Sequence, residues 1–177
     1  MRTMSAQSAA LLIIDFQTRL MPAIADAASV VANARRLLDA AALLDVPVLF
    51  TEQNVKGLGP TIEALAPLAG AVTHKMTFDA CRAEGFIDAL PDRPEIVAVG
   101  CEAHVCVLQT VLGLLDAGRR VFVARDALGA RRAESKETAV RRMERHGAEI
   151  VTTEMVIFEW LGSSAHPRFR ETVAVVK

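Results

Sequence analysis

The sequence lacks the features that mark membrane proteins, disulfide-rich proteins and highly charged proteins. No apolar run in its 177 residues approaches the length of about 18 residues that a membrane span requires. The opening MRTMSAQSAA has no apolar block before a cleavage-like site, so no secretory signal is predicted. Three cysteines are an odd number, which favours reduced thiols in a cytoplasmic protein. The 20 Lys and Arg balance 21 Asp and Glu, so neither nucleic acid nor an anionic membrane is a predicted partner.

Glycine-rich phosphate-binding loops are also missing. Neither G-x-G-x-x-G nor G-x-x-x-x-G-K-[ST] follows a predicted strand, and the first strand runs into DFQTRLMP instead. This argues against binding of NAD and ATP, and no cofactor is predicted. The chain also has no internal repeat, low-complexity segment or dividing linker. We therefore predict a single domain over 1–177, with 1–8 as a flexible leader.

Short apolar runs alternate with longer helical patterns along the chain. The first run, 9–16, is continuously apolar up to an acid at position 15, which is typical of a strand buried on both faces. Further strands are predicted at 46–51, 70–74, 95–100, 120–125 and 149–152. Helices are predicted at 25–44, 61–67, 83–89, 104–117, 134–146, 153–161 and 167–176. Such alternation predicts an α/β fold, a three-layer doubly wound sheet of about six parallel strands in the order 3-2-1-4-5-6.

Two segments have compositions that suggest special roles. NVKGLGP (54–60) contains two glycines and a proline, which predicts a mobile or site-covering loop. The helical stretch 104–117 is apolar almost all round and must be covered on more than one side. Either neighbouring helices of the same chain or a second subunit can provide that cover. We favour the second and predict a homo-oligomer, a dimer or a tetramer.

Three chemically active side chains follow strands that should end at the same edge of the sheet. Asp15 ends the first predicted strand, Lys75 ends the third, and Cys106 lies in the first turn of the helix after the fourth. In an open α/β sheet the ligand binds beyond the carboxyl ends of the strands, where the strand order reverses. Strands 1 and 4 are neighbours there. Asp15 and Cys106 are therefore predicted to share one crevice, which the long Lys75 side chain can reach.

These three side chains have a coherent chemistry. The amino end of a helix and a nearby ammonium favour a thiolate, so we expect the pKa of Cys106 to lie below the ordinary thiol value of roughly 8.5. Asp15 can accept the thiol proton and pass it to a leaving group, while Lys75 holds Asp15 in place. Taken singly, each residue has an ordinary explanation as a cap, a solvated strand end or a small core residue. The predicted walls of the crevice, chosen by position only, are Phe16, Gln17, Gln53 and Phe78.

Other candidate residues carry weaker signals. His104 lies two positions before Cys106 and points elsewhere on a helix, and His74 should face the side of the sheet opposite Lys75. Cys101, His104 and Cys106 lack the second ligand pair that structural zinc sites show, so no metal is predicted. Cys81 follows Phe78 and is either a pocket residue or, as we prefer, an ordinary packing residue. The basic stretch 131–145 has no interleaved aromatic residue and is interpreted as a solvated helix face.

The segments around the three residues resemble a known family. LLIIDFQ, HKMTF and VGCEAHVCVLQT are similar, in order and spacing, to the isochorismatase-like cysteine hydrolases over nearly the whole chain. TEQNVKGLGPT, EAHVCVLQT, DALGAR and FEWLGSSAHPRF resemble the subgroup of isochorismatase domain-containing proteins. The resemblance implies an Asp–Lys–Cys triad at Asp15, Lys75 and Cys106. It also implies a non-proline cis peptide at Cys101–Glu102, with the backbone N–H groups of Glu102 and Cys106 receiving an oxyanion.

Two departures from better-known members narrow the expected activity. True isochorismatases resemble this chain but lack the nucleophilic cysteine. Nicotinamidases carry a metal-binding Asp-x-His pair after the second strand, where this chain reads TEQNVKGLG. We therefore expect a metal-independent cysteine hydrolase that acts on a small amide-like (C–N) or related carbonyl substrate. The alternative is a non-catalytic interaction or ligand-binding protein on the same scaffold, because a fold does not establish a function.

Overall fold

The computed structural model describes residues 2–66 and 71–176. The strands are β1 (Ala9–Ile14), β2 (Val48–Gln53), β3 (Ala71–Lys75), β4 (Glu95–Cys101), β5 (Arg120–Gly129) and β6 (Glu149–Val151). The α-helices are α1 (Ala27–Leu43), α2 (Val55–Leu58), α3 (Phe86–Ala89), α4 (Leu108–Asp116), α5 (Ala133–Arg145), α6 (Thr153–Leu161) and α7 (Phe169–Val176). Short 3-10 turns lie at Met21–Ala23, Glu63–Leu65 and Ala80–Arg82, and a π-helical turn lies at Ala103–Val107.

The strands form one six-stranded parallel sheet in the order β3-β2-β1-β4-β5-β6. This confirms the predicted fold and strand order. At the carboxyl end of β1, Ile14 lies opposite Thr51 of β2 on one side and Gly100 of β4 on the other. The residues that follow β1 and β4 therefore emerge next to each other, at the point where the strand order reverses.

Alternate side chains of β1 enter two different cores, which explains the continuous apolar run. Leu11 and Ile13 pack in the cluster that includes α1 and α6. Leu12 and Ile14 pack in the cluster that includes α4 and α5. Both faces of the sheet are thus covered by helices, as the period of two along a strand requires.

The structure corrects one predicted helix. Only a 3-10 turn at Glu63–Leu65 forms within the stretch 61–67, whose last residue lies outside the described residues. Ala66 has an extended backbone with ψ of 130°. A proline at position 67 accounts for this, because its ring disfavours the helical conformation of the preceding residue.

Two further differences concern the predicted loop 54–60 and the predicted flexible leader 1–8. The predicted loop 54–60 contains the one-turn helix α2. In the predicted flexible leader, Met4 is buried, and the Ser5 N–H and the Ser8 hydroxyl both donate to the carboxylate of Glu95. From Met4 onward this segment is packed against the fold, because a buried acid and an apolar pocket hold it in place.

The apolar helix after β4 is covered by its own chain. α4 packs against α5 and the turn Ala80–Arg82, and its most apolar positions are buried or half-buried. The predicted homo-oligomer therefore loses this support and stays a prediction. Among the described residues, none of the helices combines the length and the apolar character that crossing a bilayer would need. Cytoplasmic location also stays a prediction.

Candidate active site

Asp15 is the first residue after β1, and two neighbours fix its position. Its backbone has a φ of 53°, in the left-handed region that aspartate tolerates better than most residues. The side chain is completely buried. Oδ1 accepts a hydrogen bond of 2.7 Å from Thr51 Oγ1, and Oδ2 accepts one of 2.6 Å from Lys75 Nζ. A buried carboxylate with this environment is held in a single orientation.

Lys75 reaches Asp15 from the edge of the sheet. It ends β3, which is separated from β1 by β2, and its side chain crosses that distance with no exposed surface. Its Nζ also donates to Thr77 O at 3.4 Å. The two charges are therefore taken out of water together, and their mutual attraction replaces the lost hydration.

Cys106 lies in the π-helical turn Ala103–Val107 directly after β4, and it is buried. Burial raises the pKa of its thiol, and Asp15 raises it further through its negative charge and a hydrogen bond. Lys75 lowers the pKa in the same two ways, but less than the other causes raise it. The predicted lowering of the thiol pKa is therefore wrong, because burial outweighs the nearby ammonium. The peptide bond between Cys101 and Glu102 is cis.

The four predicted wall residues have different positions. Gln53 ends β2, and its Oε1 lies 3.8 Å from Cys106 Sγ. Phe78 follows β3 and is about half exposed, at 48%. Phe16 is buried in the core on the α1 side, so it offers no surface to a ligand. Gln17 is also completely buried, and its side chain makes hydrogen bonds to backbone groups of the protein.

Gln17 links two segments around the site. Its Oε1 accepts from the Gln53 N–H at 2.8 Å, and its Nε2 donates to Gln53 O and Gly59 O at 2.9 and 2.6 Å. The side-chain amide of Gln17 thus bonds both the N–H and the carbonyl of Gln53, as the backbone of a neighbouring strand would. It also holds the far end of the segment 54–59 through Gly59 O. Gln17 is therefore a positioning residue for Gln53, not a wall of the crevice.

Gln17→Ala is expected to lower the free energy of unfolding by about 1–3 kcal/mol, because it leaves buried backbone groups without partners. We also expect faster hydrogen exchange at the backbone amides of residues 54–59. The matched control is Gln109→Ala, which removes an exposed glutamine from α4. Urea denaturation and exchange mass spectrometry measure both effects, and equal exchange in the two variants contradicts the assigned role.

A groove of about 610 Å³ opens beside Lys75. It is lined by Asn54, Val55, Lys56, His74, Lys75 and Met76. The predicted site-covering segment 54–60 supplies half of these residues. His74 is mainly exposed, and its Nδ1 lies 3.4 Å from Glu52 Oε2. Among the described residues, no hydrogen bond joins the His74 side chain to Asp15, Lys75 or Cys106. The Lys75 side chain has no exposed surface, so the groove passes beside this residue without reaching its ammonium, whereas Met76 is 73% exposed.

Sequence reasoning missed Thr51 as a partner of Asp15. The signal was available, because a parallel pairing of the first two strands places Thr51 next to the end of the first strand. Sequence reasoning did not single out Met76 as a groove residue either. Within residues 2–66 and 71–176, no three His, Cys, Asp or Glu side chains are grouped so that they could hold a metal ion.

Comparison with known proteins gives consistent matches over this chain. Residues 9–155 match the family model described as the isochorismatase domain. The chain is 37% identical over 175 residues to isochorismatase domain-containing protein 2 of Pongo abelii, covering 96% of this chain and 83% of that protein. The corresponding protein of Xenopus laevis is 34% identical over 172 residues, with 96% and 84% covered. The solved structure of MAR1 ribonuclease from Caenorhabditis elegans has a TM-score of 0.94 and 34% identity, covering 98% of this chain and 92% of that one.

Proposed function

Because the chain belongs to the isochorismatase family, we propose that it is a metal-independent cysteine hydrolase of small amide-like (C–N) or related carbonyl substrates. One observation carries the proposal. The buried Lys75–Asp15 ion pair interacts directly with the thiol of Cys106, at the carboxyl ends of three strands. A family name does not fix a reaction, so the chemistry is argued from these groups.

The first step uses Asp15 as a general base. Because burial raises the pKa of Cys106, the resting thiol is protonated. Asp15 accepts this proton as Sγ bonds to the carbonyl carbon, and the carbonyl π electrons move to oxygen. We assign the resulting oxyanion to the backbone N–H groups of Glu102 and Cys106, which follow β4 and the start of the π-helical turn.

The second and third steps return the proton and regenerate the thiol. Asp15 donates its proton to the leaving nitrogen, the C–N bond breaks, and an acyl-thioester remains on Cys106. Asp15 then accepts a proton from water as the water oxygen attacks the thioester. The thiolate leaves, and Asp15 protonates it. Each proton that Asp15 takes is given back, so the cycle is balanced.

Lys75 keeps the Asp15 carboxyl group oriented between these steps. Its ammonium also lowers the pKa of the thiol, against the effects of burial and of Asp15. The sulfur anion that forms during attack is thus stabilised at its moment of formation, without being present at rest.

Asp15→Asn is expected to change alkylation and turnover in opposite directions. Asp15 raises the pKa of the Cys106 thiol, so removing its charge lowers that pKa and brings the thiolate to lower pH. Iodoacetamide should then modify Cys106 faster at a given pH, while turnover falls at least about a hundredfold for lack of a base. Mass spectrometry of the modified peptide across pH gives the rate.

The control is Asp79→Asn, since Asp79 raises the pKa of Cys81, which lies at about 12 after burial and this charge have acted. That variant should speed alkylation of Cys81 and leave Cys106 unchanged. Slower alkylation of Cys106 in Asp15→Asn would show that Asp15 does not act on the thiol as proposed.

A substrate screen tests the function itself. Small amides, carbamates and related esters are incubated with the protein before and after alkylation of Cys106. We include an RNA oligonucleotide, because the C. elegans relative with 34% identity is named a ribonuclease. Hydrolysis of a carbonyl substrate that stops on alkylation supports the proposal. Binding without turnover favours the non-catalytic alternative, and RNA cleavage that survives alkylation contradicts a cysteine mechanism.

We also propose that the protein is a homo-oligomer, a dimer or a tetramer. The support is now the exposed apolar surface after β3, where Met76 is 73% and Phe78 48% exposed. These side chains lie beside the groove, and large exposed apolar residues of this kind mark interaction surfaces. Light scattering coupled to gel filtration determines the state.

A further inference from the structure

A second cavity lies between the turn that carries Cys106 and the start of α5. Its volume is about 330 Å³, and its walls are His104, Arg131, Arg132 and Ser135. We call it the α5 pocket. It shares no lining residue with the groove beside Lys75.

The α5 pocket contains hydrogen-bond donors that the protein does not use. In the part of the chain that the structure describes, the guanidinium of Arg132 and the hydroxyl of Ser135 have no partner. Arg131 donates its Nε to Glu102 Oε2 at 3.0 Å, and its backbone N–H donates to the same oxygen at 3.1 Å. The two terminal nitrogens of Arg131 make no hydrogen bond to any described residue. Two arginines and a serine thus present unpaired donors to one space.

The backbone adds donors in the same place. α5 is 13 residues long, and no side chain caps its start. The Lys136 N–H is the first to bond within the helix, to Arg132 O. The three preceding N–H groups, 133–135, have no partner among residues 2–66 and 71–176. The positive end of the helix dipole and these free N–H groups both favour an anion.

The charges nearby leave a positive balance. Glu102 neutralises one of the two arginines. Glu134 is in the first turn of α5, but its side chain is exposed and it does not line the pocket.

We propose that the α5 pocket binds a small oxyanion, such as a phosphate, a sulfate or a carboxylate group. Arginine forks match these planar or tetrahedral oxygen groups, and charge-assisted hydrogen bonds are the strongest kind available to them. Arg131 bridges the bound anion to Glu102, whose backbone we assign to the oxyanion of the reaction. The site itself does not depend on the proposed hydrolase.

Calorimetry with inorganic phosphate tests the site on the intact chain at low ionic strength. We expect one phosphate per chain, and Arg132→Gln should weaken its binding at least about tenfold. Arg132 is exposed and has no hydrogen-bond partner among the residues that the structure describes, so this change leaves the fold intact. The matched control is Arg145→Gln at the other end of α5, in a separate cavity, and it should bind phosphate like the wild type.

Two results would overturn the α5 pocket as an anion site. One is the absence of phosphate binding by the wild type at millimolar concentration. The other is an equal loss of affinity in Arg132→Gln and Arg145→Gln, which would indicate only a general basic surface. Cys106→Ala should bind phosphate normally, so a failure of the hydrolase proposal is distinguished from a failure of this one.

Alkylation separates the two sources of the anion. If the anion is part of the substrate, phosphate slows modification of Cys106 by iodoacetate but not by iodoacetamide, and Arg132→Gln loses this protection. If the anion is a free ion, phosphate binds in calorimetry and both reagents modify Cys106 at unchanged rates. Either result keeps the site and assigns its ligand.

Discussion

Cys106→Ala is expected to lower the rate of hydrolysis roughly a thousandfold or more, because no other group replaces the attacking sulfur. The fold should survive. The substitution removes a single buried atom next to the polar site, so we expect the free energy of unfolding to change by about 1 kcal/mol. Turnover of a substrate found in the screen measures the first effect, and urea denaturation measures the second.

Two further measurements make this result specific. Cys81→Ala removes a half-buried thiol outside the triad and should keep wild-type turnover. The wild type, stopped by acid during turnover, should carry the mass of the acyl group on the peptide that contains Cys106. Turnover by Cys106→Ala, or an acyl group found only on another residue, would refute covalent catalysis by this thiol.

Lys75→Met is expected to lower the free energy of unfolding by about 3–5 kcal/mol, because it leaves the Asp15 carboxylate buried without its counter-charge. Both side chains of this pair have no exposed surface. The fluorescence of Trp160, the only tryptophan and a buried one, reports unfolding in urea. Methionine has a similar length, so the loss reflects charge more than volume.

A double variant and an exposed pair provide the controls. Asp15→Asn combined with Lys75→Met removes both charges and should recover most of the stability without recovering turnover. Arg35→Met breaks the ion pair with Asp39, in which Arg35 is 49% exposed, and should cost at most about 1 kcal/mol. If Lys75→Met is as mild as Arg35→Met, the buried ion pair does not stabilise the fold as we describe.

The strand order and the contact between Lys75 and Asp15 followed from the sequence for a simple reason. Residues 9–14 are apolar at every position, which is typical of a strand buried on both faces, and alternating helices then leave few topologies. Once the order is known, Asp15 and Cys106 must emerge side by side. The side chain of Lys75 is long enough to cross β2 and reach Asp15.

The pKa of Cys106 and the roles of Phe16 and Gln17 depend on packing, which the sequence does not reveal. The helix end and the ammonium near Cys106 were visible as neighbours, but the burial that outweighs them was not. Phe16 and Gln17 follow Asp15 directly, yet one enters the core and the other binds the backbone of β2. The prediction of a helix at 61–67 depended on composition, whereas the proline at position 67 determines the backbone conformation of Ala66.

The contact between Lys75 and Asp15 ties the outermost strand of the sheet to its innermost part. β3 has a hydrogen-bonded neighbour on one side only, as β6 does at the other edge, so it detaches more readily than the strands between them. When β3 detaches, the Lys75 ammonium moves away from the Asp15 carboxylate, although the rest of the sheet is still formed. In the proposed mechanism, catalysis is therefore coupled to fraying at this edge of the sheet, and any contact that stabilises the edge also raises the active fraction of the protein.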